Sequence, residues 1–326
     1  MTQKSWAYGQ LEGIRQALGP GEDLILTGTN GKASFPGLPD INLEQEFGTD
    51  RVMNYTAIDE LWYFNVAYGS AVVGAGKTKA IYNHRMYMAN AYPFHHLSQH
   101  VAKDHHMTGG QATIPFVHWA KLARKWVGGA GQHSDYEEDS WFMHIPGVRT
   151  VIPTTPYDAK GLMISAVRSG DPVVYIDFGG FGSLKGDVPD EAYEVPFGKA
   201  AIRTTGNDLT IVSSGGGMVE AQKGTEMLQK AGMSVELIDL RSLNPMDTET
   251  LIKSVQKTKR LLTFDLSKYT LAPGAEVIAR VAEGVEGAKF KRIAHPDAPP
   301  AAAPEMYLWS RPDENNLFDA AKIFVG

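Results

Sequence analysis

The sequence predicts a two-domain α/β protein, each domain a mainly parallel sheet flanked by helices. Three observations carry this. Short apolar runs alternate with stretches of helical length and patterning along most of the chain. A segment rich in glycine, proline and acid, residues 179–196 (GGFGSLKGDVPDEAYEVP), interrupts the alternation. Beyond it the pattern restarts as a β-α-β-α-β-α series, which implies a parallel sheet covered on both faces. The expected limits are a first domain over residues 1–185, a linker over 186–200 and a second domain over 201–326.

In the first domain, residues 23–27 (DLILT) read as a short buried strand. Thr56 is placed to cap a helix starting near Ala57, with Asp59 in its first turn, the T-x-x-D form of a capping box. That helix is apolar nearly all round through Val73, so burial on most faces is expected. Residues 149–152 and 172–177 read as strands. The helix between them is well punctuated, with Thr155 as cap, Pro156 at the first position and Gly170 past the end. In the second domain, strands at 209–213, 234–240 and 260–265 alternate with helices at 218–231, 248–255 and from about Gly274. The triple glycine at 215–217 lies between a strand and a helix. It reads as a tight connection, and no phosphate site is assigned to it.

Composition narrows the function. With 326 residues, 43% hydrophobic and 21% charged, the chain is globular and large enough for two cores. A net charge of -6 has the wrong sign for nucleic acid or an anionic membrane as main partner. The absence of cysteine excludes disulfides, thiolate catalysis and Cys-ligated metals. No export or organelle signal and no bilayer-spanning run is visible, so a soluble cytoplasmic protein is the expectation.

Three features could carry chemistry. Glu60, in TAIDELWYFNVAYGSAVVG, is either a first-turn carboxylate favoured by the helix dipole or a buried acceptor needing a hydrogen-bond donor. His133, in GGAGQHS, is either a hydrogen-bonded loop residue or an imidazole near a ligand that glycines let approach closely. A histidine cluster comprises His84, His95, His96, His100, His105 and His106. His96 and His100, four apart, would share a helix face. No Asp, Glu or Cys is placed to complete a metal site there, and none is assigned.

The stretch around Glu60, GGAGQHS with the following HIPG, and VRTVIPTTPYDAKG at 148–161 together resemble the beta subunit of the thiamine-diphosphate-dependent decarboxylase of 2-oxo-acid dehydrogenase complexes. DLTIVSSG at 208–215 and VELIDLRSLNPMDTETLIKSVQKTKRLL at 235–262 likewise resemble the C-terminal domain shared with transketolases. The resemblance implies a transketolase-like pyrimidine-binding domain followed by that C-terminal domain. The family's T-P-I-A-E falls on TAIDE, so the cofactor-activating glutamate falls on Glu60, with Ile58 beside it in the cofactor site. The implied role of Glu60 is to hydrogen-bond the aminopyrimidine ring. His133 is implied to position the reacting acyl group or donate a proton near it.

Departures from the family bear on the substrate side. The aromatic that packs on the pyrimidine falls on Met86. The family's F-D-Q-I-V-N-E helix keeps only Phe94, and His95 and His96 follow it as candidate contacts for a carboxylate-bearing substrate. L-G-E-E becomes LTGTN, and E-P-K-x-L-Y becomes DFGGFG. The chain also has no G-D-G segment, which in the family holds the diphosphate through magnesium on a separate alpha subunit. The resemblance therefore implies thiamine diphosphate and Mg2+ held mainly by an alpha partner in an α2β2 assembly, with the apolar helix at 58–73 as a candidate contact. The implied reaction is decarboxylation of a 2-oxo acid, or cleavage of an acyloin, with acyl transfer to the lipoyl group of an acyltransferase. The alternatives are a two-subunit transketolase-like or acyloin-forming carboligase with an aldehyde acceptor, and a non-catalytic scaffold subunit.

Overall fold

A computed structural model describes residues 2–28, 34–35, 38–53, 59–84, 91–122, 139–178, 180–182 and 184–326. The chain divides into two compact units, one formed by Met1–Leu122 with Phe142–Phe197, the other by Ala123–Trp141 with Gly198–Gly326. No helix among the described residues is long and apolar enough to cross a membrane.

The first unit is built on a parallel sheet whose strands are β1 (Asp23–Gly28), β2 (Val52–Met53), β3 (Thr78–His84), β4 (Phe116–Leu122), β5 (Arg149–Val151) and β6 (Val173–Phe178). They lie in the order β5-β6-β4-β3-β1-β2, every neighbouring pair parallel. Strand β6 is buried at every position, as a central parallel strand must be. One face is covered by α1 (Trp6–Ala17) and by α3 (Pro156–Arg168). The other carries α2 (Glu60–Val73). Thr155 caps α3 by accepting from the Asp158 amide at 3.1 Å, with Pro156 at the first turn, as the sequence predicts. Gly9 and Gly13 let α1 lie directly on α3: a Cβ at Gly9 would meet the Pro156 carbonyl at 2.7 Å, and one at Gly13 would meet Met163 Cβ at 2.7 Å.

Two expectations change in this unit. The second helix starts at Glu60, with Asp59 as its cap, and Thr56 and Ala57 lie outside the described residues. Nor is that helix buried on most faces. Tyr63, Phe64, Ala67 and Ala71 face inward, while Leu61, Trp62, Val72 and Val73 are exposed, Val73 to 86%. An all-apolar helix has no polar stripe to mark its outward side, so patterning alone could not separate the two faces. The acid-rich segment also packs on this unit. Lys185–Val188 pairs antiparallel with Thr2–Ser5, and Lys160 Nζ donates to the carbonyls of Pro189, Asp190 and Glu191 at 2.7, 3.1 and 2.9 Å.

The second unit is built on a five-stranded sheet of β7 (Ala201–Thr204), β8 (Leu209–Ser213), β9 (Val235–Asp239), β10 (Arg260–Lys268) and β11 (Lys289–His295), in the order β7-β9-β8-β10-β11. All neighbours are parallel except β7, an antiparallel edge strand. Helices α4 (Gly217–Lys230), α5 (Thr248–Thr258) and α6 (Pro273–Gly284) make the predicted alternation, and α7 (Glu314–Val325) is added at the end. Strand β7 lacks a continuous apolar run because it is half-exposed throughout, which is why the sequence pattern passes over it. Asp247 caps α5 and Asp313 caps α7 through a capping box with Asn316.

One buried acid gives this unit a pH dependence. Asp265, on β10, is pushed up to about 7, first by burial and then by the nearby Asp139 carboxylate, against the lowering effect of the Gly274 amide and Arg292. Gly274 is required there, since a Cβ would meet Asp265 Oδ2 and Thr263 Oγ1 at 2.4 Å each. A carboxyl that holds its proton more tightly folded than unfolded favours the folded state at low pH and loses that advantage as pH rises through the folded value. Urea titrations from about pH 5 to about pH 8 should therefore find falling stability in the native chain, and a flatter profile with higher stability at the alkaline end for Asp265→Asn. Parallel profiles for the two proteins would refute the assignment.

Candidate active site

Strands β1, β2, β3 and β4 all end at the same edge of the first sheet, the carboxyl edge, where open parallel sheets bind ligands. The segments that follow Gly28, His84 and Leu122 leave from this edge, and the segment after Met53 leads to Glu60. Three of the residues that the sequence singles out, Ile58, Met86 and His133, belong to these segments and lie outside the described residues.

Glu60 is the first residue of α2 and is half-buried. Two hydrogen bonds fix this turn. Asp59 Oδ1 accepts from the Trp62 amide at 2.9 Å. Thr27 Oγ1, buried on β1, donates to the Tyr63 carbonyl at 2.9 Å. The start of α2 is thereby tied to the sheet, and the Glu60 backbone has little freedom to drift.

Beneath this turn lies an aromatic layer. Thr27, Tyr82 and His118 are register partners across β1, β3 and β4, so their side chains rise from the same face. Tyr82 and His118 are fully buried, with ring centroids 5.1 Å apart. Phe64, from α2, packs on Tyr82 at 5.4 Å, Phe116 at 5.0 Å and His118 at 5.8 Å, and Phe142 packs on His118 at 5.7 Å. Burial pushes the Tyr82 phenol well above its ordinary range, and the Glu60 and then the Asp59 carboxylates add to the effect. Tyr82 therefore stays a neutral O–H under the Glu60 carboxylate. Neither Tyr82 nor His118 was singled out from the sequence. Each sits in an apolar strand, and only the register brings them under Glu60.

The histidine segment is built differently from a single α-helix. Phe94–His96 is a short α-helical turn, and Leu97–Val101 continues it as a π-helical one. His95, His96 and His100 come together, with ring centroids 5.4 Å (His95–His96), 5.7 Å (His95–His100) and 5.2 Å (His96–His100) apart. Burial, then His100 and His95, hold His96 below its ordinary value. His105 stands apart from the three, with Nδ1 2.7 Å from the Ala112 carbonyl.

The chemistry this edge offers is a positioned carboxylate acceptor above a buried, neutral aromatic layer. A partly desolvated carboxylate at such a place is stabilised by a charge-assisted hydrogen bond from a polar N–H donor.

Comparison with known proteins gives first the fold and then the family. Residues 198–317 match the family model of the transketolase C-terminal domain. Over 98% of its length the chain aligns in structure with 96% of a protein described as a split gene transketolase, inactive beta4 tetramer, with a TM-score of 0.78 and 16% sequence identity. The fold is thus transketolase-like, each unit a parallel-dominated sheet with flanking helices. The chain is 33% identical over 291 residues to the pyruvate dehydrogenase E1 component subunit beta of Staphylococcus aureus, and 34% identical over the same length to that of Staphylococcus epidermidis. These alignments cover 86% of this chain and 85% of each relative. The chain belongs to the family of pyruvate dehydrogenase E1 beta subunits, the beta chains of thiamine-diphosphate-dependent 2-oxo-acid dehydrogenases.

The tie between Thr27 and Tyr63 is testable. Thr27→Val keeps the shape but leaves the Tyr63 carbonyl without its hydroxyl donor, and should cost about 1 kcal/mol of unfolding free energy in urea. A variant as stable as the native chain would mean that the contact does not hold α2.

Proposed function

We propose that this chain is the catalytic beta subunit of a heteromeric thiamine-diphosphate enzyme. In this reading it decarboxylates a 2-oxo acid and passes the acyl unit to the lipoyl group of an acyltransferase. The observation that carries it is Glu60, a half-buried carboxylate fixed at the start of α2 on the carboxyl edge, in a chain of this family. Thiamine diphosphate, when bound, supplies the electron sink that decarboxylation requires. The residues of this chain supply position and proton control. Glu60 accepts a hydrogen bond from the aminopyrimidine ring and selects its tautomer. Ile58 and Met86 bound the ring. His133 orients the reacting carbonyl group and serves as proton donor near it.

A separate alpha subunit completes the site in this reading. It holds the diphosphate and Mg2+, since the sequence of this chain lacks the G-D-G segment. The exposed apolar side of α2, with Leu61, Trp62, Val72 and Val73, is the proposed contact, in an α2β2 assembly in the cytoplasm. Retention of Glu60 and His133 favours catalysis over a scaffold role.

Glu60→Gln keeps the shape and removes the charge. In the reconstituted complex it should lower turnover by at least about a hundredfold while leaving assembly intact. Unchanged turnover would sink the catalytic reading. His95 and His96 are proposed to contact the substrate carboxylate. The double change to Gln should raise the Michaelis constant for the 2-oxo acid with little effect on the maximal rate, and unchanged constants would remove these residues from the substrate side. A second reading has a specific support, since histidines replace most of the family's F-D-Q-I-V-N-E helix. It is carboligation with an aldehyde acceptor, and turnover that depends on an aldehyde but not on lipoamide would favour it.

A further inference from the structure

The π-helical turn does something that an α-helix cannot. In an α-helix, His96 and His100 share a face, but residues five apart point about 140° from each other. His95 would then face away from His100. Here the Ala102 amide donates to the Leu97 carbonyl at 3.0 Å, a five-residue step, and the winding is wider. Residue 100 consequently lies over the gap between residues 95 and 96. All three imidazoles meet, with centroids 5.2 to 5.7 Å apart. Single π-turns inside helices occur frequently at functional sites.

These separations have a chemical meaning. A metal about 2.1 Å from a ring nitrogen stands roughly 3.2 Å from the ring centre, so three imidazoles around a tetrahedral ion have centres about 5.2 Å apart, and around a trigonal one about 5.5 Å. Two sides of the observed triangle, 5.4 and 5.2 Å, fall in that range, and the His95–His100 side, at 5.7 Å, is slightly longer. Among the described residues, as their side chains stand, no group of three His, Cys, Asp or Glu is placed to hold a metal ion. Convergence requires the rings to turn about their side-chain bonds, and His95 and His100 are exposed and free to do so, with His96 half-buried between them. Lys103, the nearby cation, is engaged by Gln99.

We propose that His95, His96 and His100 form a binding site for a divalent transition-metal ion. Three imidazoles without cysteine select the nitrogen-preferring ions Zn2+, Co2+, Ni2+ and Cu2+ over Mg2+ or Ca2+. Three protein ligands leave one position open for water or a carboxylate oxygen. The site is distinct from the magnesium of the diphosphate and depends on neither Glu60 nor a partner chain.

The test uses the full chain without an affinity tag, stripped with a chelator and titrated with Co2+ by calorimetry and visible absorption. One ion per chain is expected, with the absorption of a tetrahedral or five-coordinate nitrogen site, displaced by Zn2+ and not by Mg2+. His100→Asn and His95→Asn, both at exposed positions, should each weaken Co2+ binding at least tenfold, as should His96→Asn. His105→Asn and His106→Asn should leave it unchanged. Far-UV circular dichroism checks that each variant is folded, and the two exposed positions decide the matter should His96→Asn fail to fold. No bound ion, or equal affinity in the native chain and His100→Asn, overturns the proposal.

Discussion

A parallel sheet must be covered on both faces, and most of the first unit follows from that constraint. Strand β6 is buried along its whole length, so no position on it can present chemistry to solvent. Helices α1 and α3 close one face and α2 closes the other. What remains is the carboxyl edge, where the strands end. Glu60 is near that edge because it opens α2, whose first turn Thr27 ties to the end of β1. The same constraint explains why so many of the residues expected in the cofactor site sit in the segments that leave this edge.

Buried polar groups then fix the details that hydrophobic packing leaves loose. Asp177 is 2% exposed on β6. It accepts from the indole of Trp6 at 3.1 Å and that of Trp119 at 3.3 Å, and Lys121 Nζ is 3.7 Å away. A carboxylate so deep would be costly alone. Held by two indoles and an ammonium, it joins α1, β4 and β6 at defined heights. The DFGGFG segment, a departure from the family pattern, thus begins with a structural carboxylate. Thr27 does the equivalent for α2, since one buried hydroxyl sets where its first turn meets the sheet.

Two helical segments carry more information in their geometry than in their composition. Apolar residues in α2 occur all round the helix, with only Glu60, Asn65 and Ser70 as clearly polar positions. The fold assigns Tyr63, Phe64, Ala67 and Ala71 to the sheet and leaves Leu61, Trp62, Val72 and Val73 outside. That outer side has the composition of an interface rather than of a solvated helix. Over residues 94–101 the change from α to π winding converts a pair of histidines at i, i+4 and a bystander into three rings in mutual contact.

The sequence by itself determined the class of fold, most of the element order and the family. Thr155-Pro156, Leu209–Ser213 and Thr248 mark element ends legibly because caps and apolar runs act over a few residues, and local patterning records local interactions. Glu60 and His133 were legible through motifs that resemble a family. Tertiary structure alone decided the rest. The outward side of α2, the antiparallel strand β7, the pairing of Lys185–Val188 with Thr2–Ser5 and the Tyr82–His118 layer near Glu60 all depend on partners far away in the chain. Register, burial and helix winding are set by those partners, and no stretch of neighbouring residues encodes them.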